Sequence, residues 1–330
     1  SYWGRFTMST RNTFRADTTV RFSIIVPTHN EEKDIGATLR VLCALDRPDF
    51  DVLVVDDSSD HTPEIVQACA DRRVRYIRQT RGEGRSAARN QGILAATGEI
   101  MVILNADVHL PADFLRCLEG HYRSGADYVL VESRVSNTEA LFPRYIQAQH
   151  EFYYGPDTLV NMNWTEGFSC RRKAAFAVGL FPEGVSAPLL AGEDGWFGER
   201  LEAHGCNRVF DRSIIVSHIM PSGVSEFFRQ RIGRGHGTAQ IGIQREGISP
   251  RTLGFRAIKQ LMHLLVSIIV VVPIGMYAWR FSLYSSHHRA DWMPFIWAVA
   301  LERCANVVGI WQGFWEALRH NRIVSRGAQN

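Results

Sequence analysis

The chain has few of the features that mark nucleic-acid-binding or disulfide-stabilised proteins. Its 330 residues include 37 lysines and arginines against 34 aspartates and glutamates, and this net charge of +3 excludes nucleic acid as an expected partner. The six cysteines include no C-x-x-C pair, so the sequence predicts neither a zinc knuckle nor a disulfide framework. Isolated cysteines of this kind indicate reduced thiols and a cytosolic location for the soluble part.

The N-terminal region lacks a continuous apolar segment, and we therefore predict no signal peptide. We expect residues 1–20 to form an N-terminal extension, part of which, before Met8, derives from cloning. The rest of the chain contains no internal repeat and no low-complexity linker. Hydrophobic residues at 45% and charged residues at 22% are values typical of a globular protein.

Short β-branched runs alternate with helical segments over the first hundred residues or so. Four of these runs predict buried strands, namely 22–27, 51–55, 74–79 and 99–107. With a helix between each pair, the order predicts an α/β fold with a doubly wound, mostly parallel sheet. The polar clusters that follow three of the strands are 28–32, 56–60 and 105–109. Ligands bind beyond the carboxyl ends of such strands, so we expect these clusters to share one edge of the sheet.

The stretch ILNADVHLP, residues 103–111, ends an apolar run with three potential metal ligands. Asn105, Asp107 and His109 alternate along it, and alternate side chains point the same way if the segment is extended. The pattern fits a divalent-metal site, and it also fits the polar end of an ordinary strand.

Three other motifs carry candidate chemical groups, each with a simpler structural explanation. In VVDDSSDHT, Asp56 and Asp57 could accept the N–H groups of a base, or could cap a solvated turn. In RGEGRSAARNQG, Arg85 near a helix N-terminus could contact a diphosphate, or lie free on the surface. In AGEDGWFGERL, Glu193 and Asp194 could include a general base, or could simply favour the helix dipole.

Two C-terminal segments are apolar enough to enter a membrane. Residues 260–279 contain no Lys, Arg, Asp or Glu, and twenty helical residues cross a bilayer core of about 30 Å. A buried core helix is the alternative. Residues 292–315 carry Glu302 and Arg303, so this segment is either a second span or a helix in the interface. We expect 241–330 to form a membrane-associated helical region.

Six motifs together resemble the family-2 glycosyltransferases of GT-A fold, which invert configuration and use nucleotide sugars. In chain order they are IIVPTHNEE, VVDDSSDHT, GRSAARNQG, LNADVHLP, EGFSCRRKAAFAVGLFPE and AGEDGWFGERL. The resemblance implies a GT-A domain over 21–240. Its nucleotide-binding half would be 21–130, and its acceptor half 131–240.

The resemblance also implies roles for individual residues. Nucleotide-binding positions would be Pro27, Asn30, Glu31, Asp56, Asp57, Arg85 and Ala106. Ligands of a Mg²⁺ or Mn²⁺ cofactor would be Asp107, Asn105, His109 and His218. The catalytic base would be Asp194, with Glu193 beside it. Acceptor-side positions would be Gly167 and Phe168. Independently of the resemblance, Arg231 and Arg234 lie in a basic stretch that could bind phosphates of the acceptor or the diphosphate, or could simply attract lipid headgroups.

Two positions depart from the family pattern. Asn105 stands where the D-x-D metal motif has its first aspartate, so one anionic ligand is replaced by a neutral amide. Processive synthases carry Q-x-x-R-W, whereas here Gln230 is followed three residues later by Gly233. The second departure predicts transfer of a single sugar.

We therefore expect an inverting transferase that moves one sugar from a nucleotide-diphosphate sugar, UDP being favoured, to a hydroxyl of a lipid-linked or glycan acceptor. The hydrophobic C-terminal region places this reaction at a membrane, with the catalytic domain on the cytoplasmic face. Two alternatives stay open: a polyprenyl-phosphate sugar synthase, and a catalytically inactive, nucleotide-binding scaffold at the membrane. A dehydrogenase is disfavoured because no G-x-G-x-x-G follows the first strand. The sequence predicts no oligomeric state.

Overall fold

The computed structural model describes residues 20–80, 82–156, 164–185 and 187–327, with side chains up to residue 320. The expected extension, apart from residue 20, lies outside these residues. The strands are β1 Phe22–Thr28, β2 Phe50–Asp56, β3 Val74–Arg78, β4 Ile100–Ile103, β5 Val108–His109, β6 Tyr128–Val135, β7 Phe168–Arg171 and β8 Arg208–His218. The helices are α1 Ile35–Cys43, α2 Thr62–Gln67, α3 Gly84–Ala95, α4 Phe114–Arg123, α5 Leu141–Tyr154, α6 Arg172–Ala177, α7 Glu193–Ala203, α8 Val224–Gln244, α9 Pro250–Val270, α10 Val272–Ser282 and α11 Trp292–Gly327.

The eight strands form one sheet in the order β3-β2-β1-β4-β7-β6-β8-β5. The first four are parallel, as the alternation of strands and helices predicts. The second half is mixed, because β7 runs antiparallel to both of its neighbours while β6 and β8 are parallel. The α/β prediction is thus confirmed, and the parallel arrangement holds for the first half of the sheet.

Alternate residues of β1 contribute to two separate cores, one on each face of the sheet. Phe22 and Ile24 pack with Leu39 of α1 on one face, while Ile25 packs with Ile93 of α3 on the other. A strand buried on both faces must be apolar throughout, which explains its continuous run of apolar side chains. This double cover fixes the carboxyl ends of β1, β2 and β4 along one edge.

The predicted span 260–279 is not one continuous helix but is divided between α9 and α10. Val271 has a φ of 56°, and it separates α9 from α10. Pro273 stands at the start of α10, where its ring would clash with the preceding turn if α9 continued. A β-branched residue in the left-handed region is strained.

The second predicted segment lies within α11, a continuous helix of 36 residues. Pro250–Val270 and His288–His320 are both long and apolar enough to cross a membrane, by length and composition. However, α11 packs closely along α8: a Cβ added at Gly309 would lie 2.1 Å from the Ile232 carbonyl oxygen. The expected boundary at residue 240 falls inside α8.

A third core joins the C-terminal helices to α5 and α8. Tyr145 packs edge-to-face against Phe227, Phe281 and Phe295. Glu302 of α11 accepts hydrogen bonds from the Tyr145 hydroxyl at 2.6 Å and from Gln149 at 2.7 Å. The charge within the predicted second span is therefore bound to the acceptor half of the sheet domain.

Candidate active site

Asp56, at the end of β2, is fully buried and supplied with hydrogen bonds. Its carboxylate accepts from the Thr28 hydroxyl at 2.7 Å, the Ser58 hydroxyl at 2.5 Å and the Tyr76 hydroxyl at 3.1 Å. The Arg78 guanidinium lies 3.4 Å away. With this many donors, Asp56 serves to hold the ends of β1, β2 and β3 together rather than to contact a ligand.

Asp57 and Asn30 lie on the open side of the same strand ends. The Asp57 side chain is 45% exposed and its carboxylate lies 3.6 Å from Arg78. Asn30 adopts a φ of 59°, and its side-chain oxygen accepts the backbone N–H of Ser59 at 2.9 Å. Pro27 is half-buried within β1, one residue before the strand ends. Of the adjacent acids Asp56 and Asp57, it is therefore Asp57 that a nucleotide base could reach.

Glu31 belongs to a group of carboxylates that face one another. Burial raises the pKa of Glu31 to about 7, and the negative charges of Asp107, Asp34 and Asp60 add to the shift. The opposing influence of Arg85 is smaller. Like charges gathered in this way favour a bound cation, because a cation relieves their repulsion.

The stretch 103–111 is not extended, and its three candidate ligands do not point the same way. β4 ends at Ile103, and the Val108 N–H donates to the Asn105 carbonyl oxygen at 3.2 Å, closing a turn before β5. Asn105 accepts from Arg89 at 3.4 Å, whereas Asp107 approaches His218. The Nε2 atom of His109 is buried with no hydrogen-bond partner.

Asp107, His218 and Glu166 form a row of ionisable groups. The Nε2 atom of His218 lies 3.1 Å from the Asp107 carboxylate, and its Nδ1 atom lies 3.5 Å from Glu166. Although burial lowers the pKa of the imidazole, the charges of Asp107 and then Glu166 raise it above its ordinary value. Because β8 delivers His218 beside the turn after β4, the contact joins two distant parts of the chain.

These residues fit a Mg²⁺ or Mn²⁺ ion that the substrate helps to bind. Among the described residues, no three His, Cys, Asp or Glu side chains are arranged to hold a metal by themselves. Mg²⁺ commonly binds through one or two carboxylates together with substrate phosphates and water. The Asp107 carboxylate, 34% exposed beside His218, provides that kind of site. The amide of Asn105, by contrast, is engaged with Arg89.

The exposed polar groups Asp57, Arg85 and Asp107 border one region at the ends of β1, β2 and β4, which we call the cleft. Arg89 and Glu193 form a buried ion pair beneath it. The Arg89 guanidinium is fully buried and donates to Glu193 at 2.8 Å and to the Thr165 hydroxyl at 3.0 Å. Burial by itself raises the pKa of Glu193, but the charges of Arg85 and Arg89 hold it below its ordinary value. Glu193 is therefore an ionised structural partner at neutral pH, not a proton acceptor.

Asp194, the next residue, has the opposite properties. Burial raises its pKa to about 7, and the negative charge of Glu193 contributes further. Its carboxylate accepts the N–H of Gly195 at 2.8 Å. A carboxylate that gains a proton near neutral pH is suited to general base catalysis.

Arg85 is the point on which the acids converge. The charge of Glu193 raises its pKa, and the charges of Asp194, Glu166 and Asp107 act in the same direction. Its side chain is 46% exposed and lies 3.6 Å from Glu193. An arginine surrounded by acids yet open to solvent can bind an anion such as a diphosphate.

The four residues expected on the acceptor side separate into two pairs. Gly167 has a φ of 73°, and a Cβ there would lie 2.9 Å from Val131. Phe168 packs in the core against Tyr128 and Phe197, so it does not face the cleft. Gly167 and Phe168 therefore support the packing behind the cleft. The expectation that Phe168 contacts the acceptor is not met in this structure.

Arg231 and Arg234 both lie on α8. Arg231 is fully buried, 3.3 Å from Glu302 of α11. Arg234 is exposed, and the like charge of Arg231 lowers its pKa to about 10. The charges of Glu166 and Asp194 also act on Arg234, which places it at the cleft.

Sequence reasoning missed two residues of the site. Glu166 went unassigned although it precedes Gly167 in a quoted motif. Arg89 was assigned no role, although it lies in the quoted motif GRSAARNQG. Ala106 is buried, and its carbonyl oxygen accepts from the Thr38 hydroxyl, so it supports the turn from the α1 side. For Glu166, its position five residues before the basic pair Arg171 and Arg172 was the only local signal.

The chain is similar to a known protein family and to individual curated proteins. Residues 23–184 match the family model for glycosyl transferase family 2. The dolichol-phosphate mannosyltransferase of Pyrococcus furiosus is 31% identical over 114 residues, which cover 34% of this chain and 32% of that protein. Glycosyltransferase AglE of Haloferax volcanii is 28% identical over 234 residues, covering 66% of this chain and 73% of AglE. Several other curated relatives are matched over about a third of their length or less.

Among solved structures, the mannosyltransferase PcManGT from Pyrobaculum calidifontis, in complex with GDP-Man and Mn²⁺, is similar with a TM-score of 0.51. The match covers 94% of this chain and 80% of that one, at 20% sequence identity. At this identity the likeness concerns the fold alone. It confirms the expected GT-A architecture.

Proposed function

The chain belongs to glycosyl transferase family 2, and on that premise we propose that it transfers one sugar, with inversion, from a nucleotide-diphosphate sugar to a hydroxyl of a lipid-linked acceptor. The observation that carries the proposal is that the charges of Glu193, Asp194, Glu166 and Asp107 all act on the exposed Arg85, which lies 3.6 Å from Glu193. It gathers a candidate base, a candidate metal ligand and an anion-binding group in one cleft. UDP remains the favoured nucleotide.

The donor would lie along the carboxyl ends of β1 and β2. Asp57 would accept N–H groups of the base, and Arg85 would neutralise the diphosphate. Asp107, with His218 beside it, would hold the divalent cation. When bound, that cation supplies Lewis-acid stabilisation of the negative charge on the leaving diphosphate.

Asp194 would remove the proton from the acceptor hydroxyl. The oxygen then attacks the anomeric carbon from the face opposite the nucleotide, so configuration inverts. The Arg89–Glu193 ion pair keeps Glu193 ionised, and the charge of Glu193 in turn raises the pKa of Asp194. The two acids thereby take different parts, one fixed in charge and one able to exchange a proton.

A polyprenyl-phosphate sugar synthase is the second candidate. Arg234, exposed at the cleft side of α8, favours it, because an arginine suits an acceptor phosphate. The dolichol-phosphate mannosyltransferase similar over 114 residues carries such an activity in its name. In that reaction the nucleophile is already anionic and needs no base, so the shifted pKa of Asp194 favours the hydroxyl acceptor.

The test is a donor screen followed by product analysis. UDP- and GDP-sugars are added with and without Mn²⁺, and the shift of the melting temperature is measured. We expect stabilisation by one nucleotide series, increased by Mn²⁺ and reduced in Arg85→Gln. Arg116→Gln, an arginine on α4 with a 68% exposed side chain, is the matched control.

The product then separates the two candidates. A glycosyl monophosphate lipid is cleaved by mild acid, whereas a glycoside formed on a hydroxyl survives. Release of the transferred sugar as a free monosaccharide would overturn the hydroxyl acceptor. Failure of every nucleotide sugar to bind would overturn the donor assignment, and binding without transfer to any acceptor would favour an inactive scaffold.

A further inference from the structure

The charge-free segment 260–279 is bent into an elbow, which comprises the end of α9 and the start of α10. The bend lies at Val271, where φ is 56°. The side chains exposed around this elbow are almost all apolar: Met262, Leu265, Val266, Ile268, Ile269, Val270, Val271, Val272 and Met276. Ile269 is 80% exposed and Val272 is 61% exposed, values that are costly in water for side chains of this size.

We propose that this elbow inserts into one leaflet of a lipid bilayer with anionic headgroups, instead of crossing the bilayer. The proposal deepens the proposed function, on which it rests for the presence of a membrane-borne acceptor. It names the surface by which the chain reaches that acceptor.

The length of the elbow limits its depth. Although α9 has 21 residues, Arg251, Arg256 and Lys259 occupy its first half, and only residues 260–270 are free of charge. Eleven helical residues rise about 16 Å, roughly half of a hydrocarbon core of about 30 Å. Beyond the bend, α10 leads to Phe281, which packs on Tyr145 of α5. The chain therefore returns to the sheet domain and does not continue across the bilayer.

The charge around the elbow selects the lipid. Residues 250–301 contain five lysines and arginines and a single acid, Asp291, which is buried against Arg144. Lys259 and Arg280 flank the apolar segment and are exposed. Basic side chains beside an apolar surface attract anionic headgroups, whereas a protein partner would need acids placed to match them.

Aromatic side chains mark the expected level of the interface. The indole N–H of Trp292 donates to the Gly275 carbonyl oxygen at 3.0 Å, and the Trp279 and Trp292 rings meet edge-to-face at 5.6 Å. The Arg289 guanidinium lies 5.3 Å from the centre of the Trp279 ring. Tryptophan and arginine together are typical of the headgroup region.

The elbow is also attached to the cleft. Arg303 of α11 donates to the Ser267 hydroxyl at 3.0 Å and lies over the Tyr277 ring. Its neighbour Glu302 faces the other way, toward Arg231 of α8. The elbow therefore has a fixed position relative to the acceptor side, as delivery of a lipid-linked acceptor requires.

The binding test uses the whole chain and vesicles of defined composition. We expect co-sedimentation with vesicles that contain 30% anionic phospholipid, and much weaker binding to zwitterionic vesicles. Ile269→Asp should weaken binding by roughly 30- to 100-fold, and Lys259→Gln by roughly fivefold. Val185→Asp, at an apolar residue 75% exposed in the sheet domain, is the matched control and should bind normally. Equal binding of Ile269→Asp and wild type would overturn the proposal, as would an elbow-dependent dimer that ignores vesicles.

The depth test places a fluorescent label at residue 271 through Val271→Cys, in a chain whose native cysteines are replaced by serine or alanine. Lipids that carry a quencher near the headgroup, at mid-chain or at the chain end are compared. We expect the strongest quenching in the acyl region of the leaflet from which the protein binds. Quenching by headgroup quenchers of the opposite leaflet would show a span and would overturn the one-leaflet geometry.

Failure of the docking proposal is distinguishable from failure of the proposed function. Donor binding, measured by the melting temperature, does not require a membrane. A chain that binds a nucleotide sugar but no vesicle overturns the docking proposal alone. A chain that binds vesicles through Ile269 but binds no nucleotide sugar overturns the donor assignment and leaves the elbow intact.

Discussion

Carboxylates on the two sides of the cleft have different surroundings. On the β1–β2 side, three hydroxyl donors and Arg78 surround Asp56, and its position is fixed by the sheet. On the α7 side, Asp194 has the Gly195 N–H and an adjacent negative charge, and its pKa rises to about 7. Where donors are abundant, a carboxylate supports the structure. Where they are scarce and another acid is near, a carboxylate can exchange protons at neutral pH.

The largest effect is expected at Asp194. Asp194→Asn removes the base while keeping the shape, and turnover should fall by about 10²- to 10⁴-fold with donor affinity unchanged. Steady-state kinetics and donor-induced melting shifts measure the two quantities separately. Glu202→Gln, on the same helix and with a 41% exposed side chain, is the control and should be fully active. Full activity of Asp194→Asn would show that the base lies elsewhere.

At Asp56 the expected effect is on stability. Asp56→Asn turns an acceptor of several hydrogen bonds into a partial donor, so we expect the free energy of unfolding to fall by about 2–3 kcal/mol. Asp57→Asn, at the exposed neighbour, should change it by less than about 0.5 kcal/mol. Denaturant titration measures both. The Asp57 variant should instead weaken donor binding by about tenfold. If the two variants exchanged these effects, the roles assigned to the two acids would be reversed.

The sheet and most of the site were predictable because they depend on local patterns. A continuous apolar run identifies a buried strand, and the polar residues that follow it must lie at the edge of the sheet, as Asp57 and Asp107 do. The direction in which a side chain points does not follow from such local patterns. The alternation of Asn105, Asp107 and His109 predicted one common face, but a turn after Ile103 sends each residue to a different neighbour.

Long-range contacts explain the other differences. Glu166 becomes a site residue only because β8 brings His218 next to it, and no local pattern encodes that meeting. The bend at Val271 depends on packing of α10 against α5 and α11, while the hydropathy of 260–279 is the same for a straight helix. Hydropathy identifies surfaces that avoid water, and tertiary contacts decide their shape.

The pH dependence sharpens the contrast between Asp194 and its neighbours. Because Asp194 must be ionised to accept a proton, and its pKa is about 7, the rate should rise with pH and level off above about 7. Below that value it should fall about tenfold per pH unit. Glu31 also has a pKa raised to about 7, so the profile of Glu31→Gln is the control. If Asp194 is the base, Glu31→Gln keeps the acid limb, whereas loss of the limb would assign it to Glu31.

The smallest effect is expected at Asn105, where the chain departs from the D-x-D pattern. Asn105→Asp restores the acid, but the side-chain oxygen here faces Arg89 at 3.4 Å, not Asp107. The new carboxylate would pair with Arg89 and compete with Glu193 for it. The Mn²⁺ affinity of Asn105→Asp, measured by calorimetric titration with nucleotide present, should therefore differ from that of the wild type by less than about threefold. Asp107→Asn should lower this affinity by roughly 10- to 100-fold. A large gain in Mn²⁺ affinity in Asn105→Asp would mean that residue 105 turns toward the cation and that the metal site extends to the end of β4.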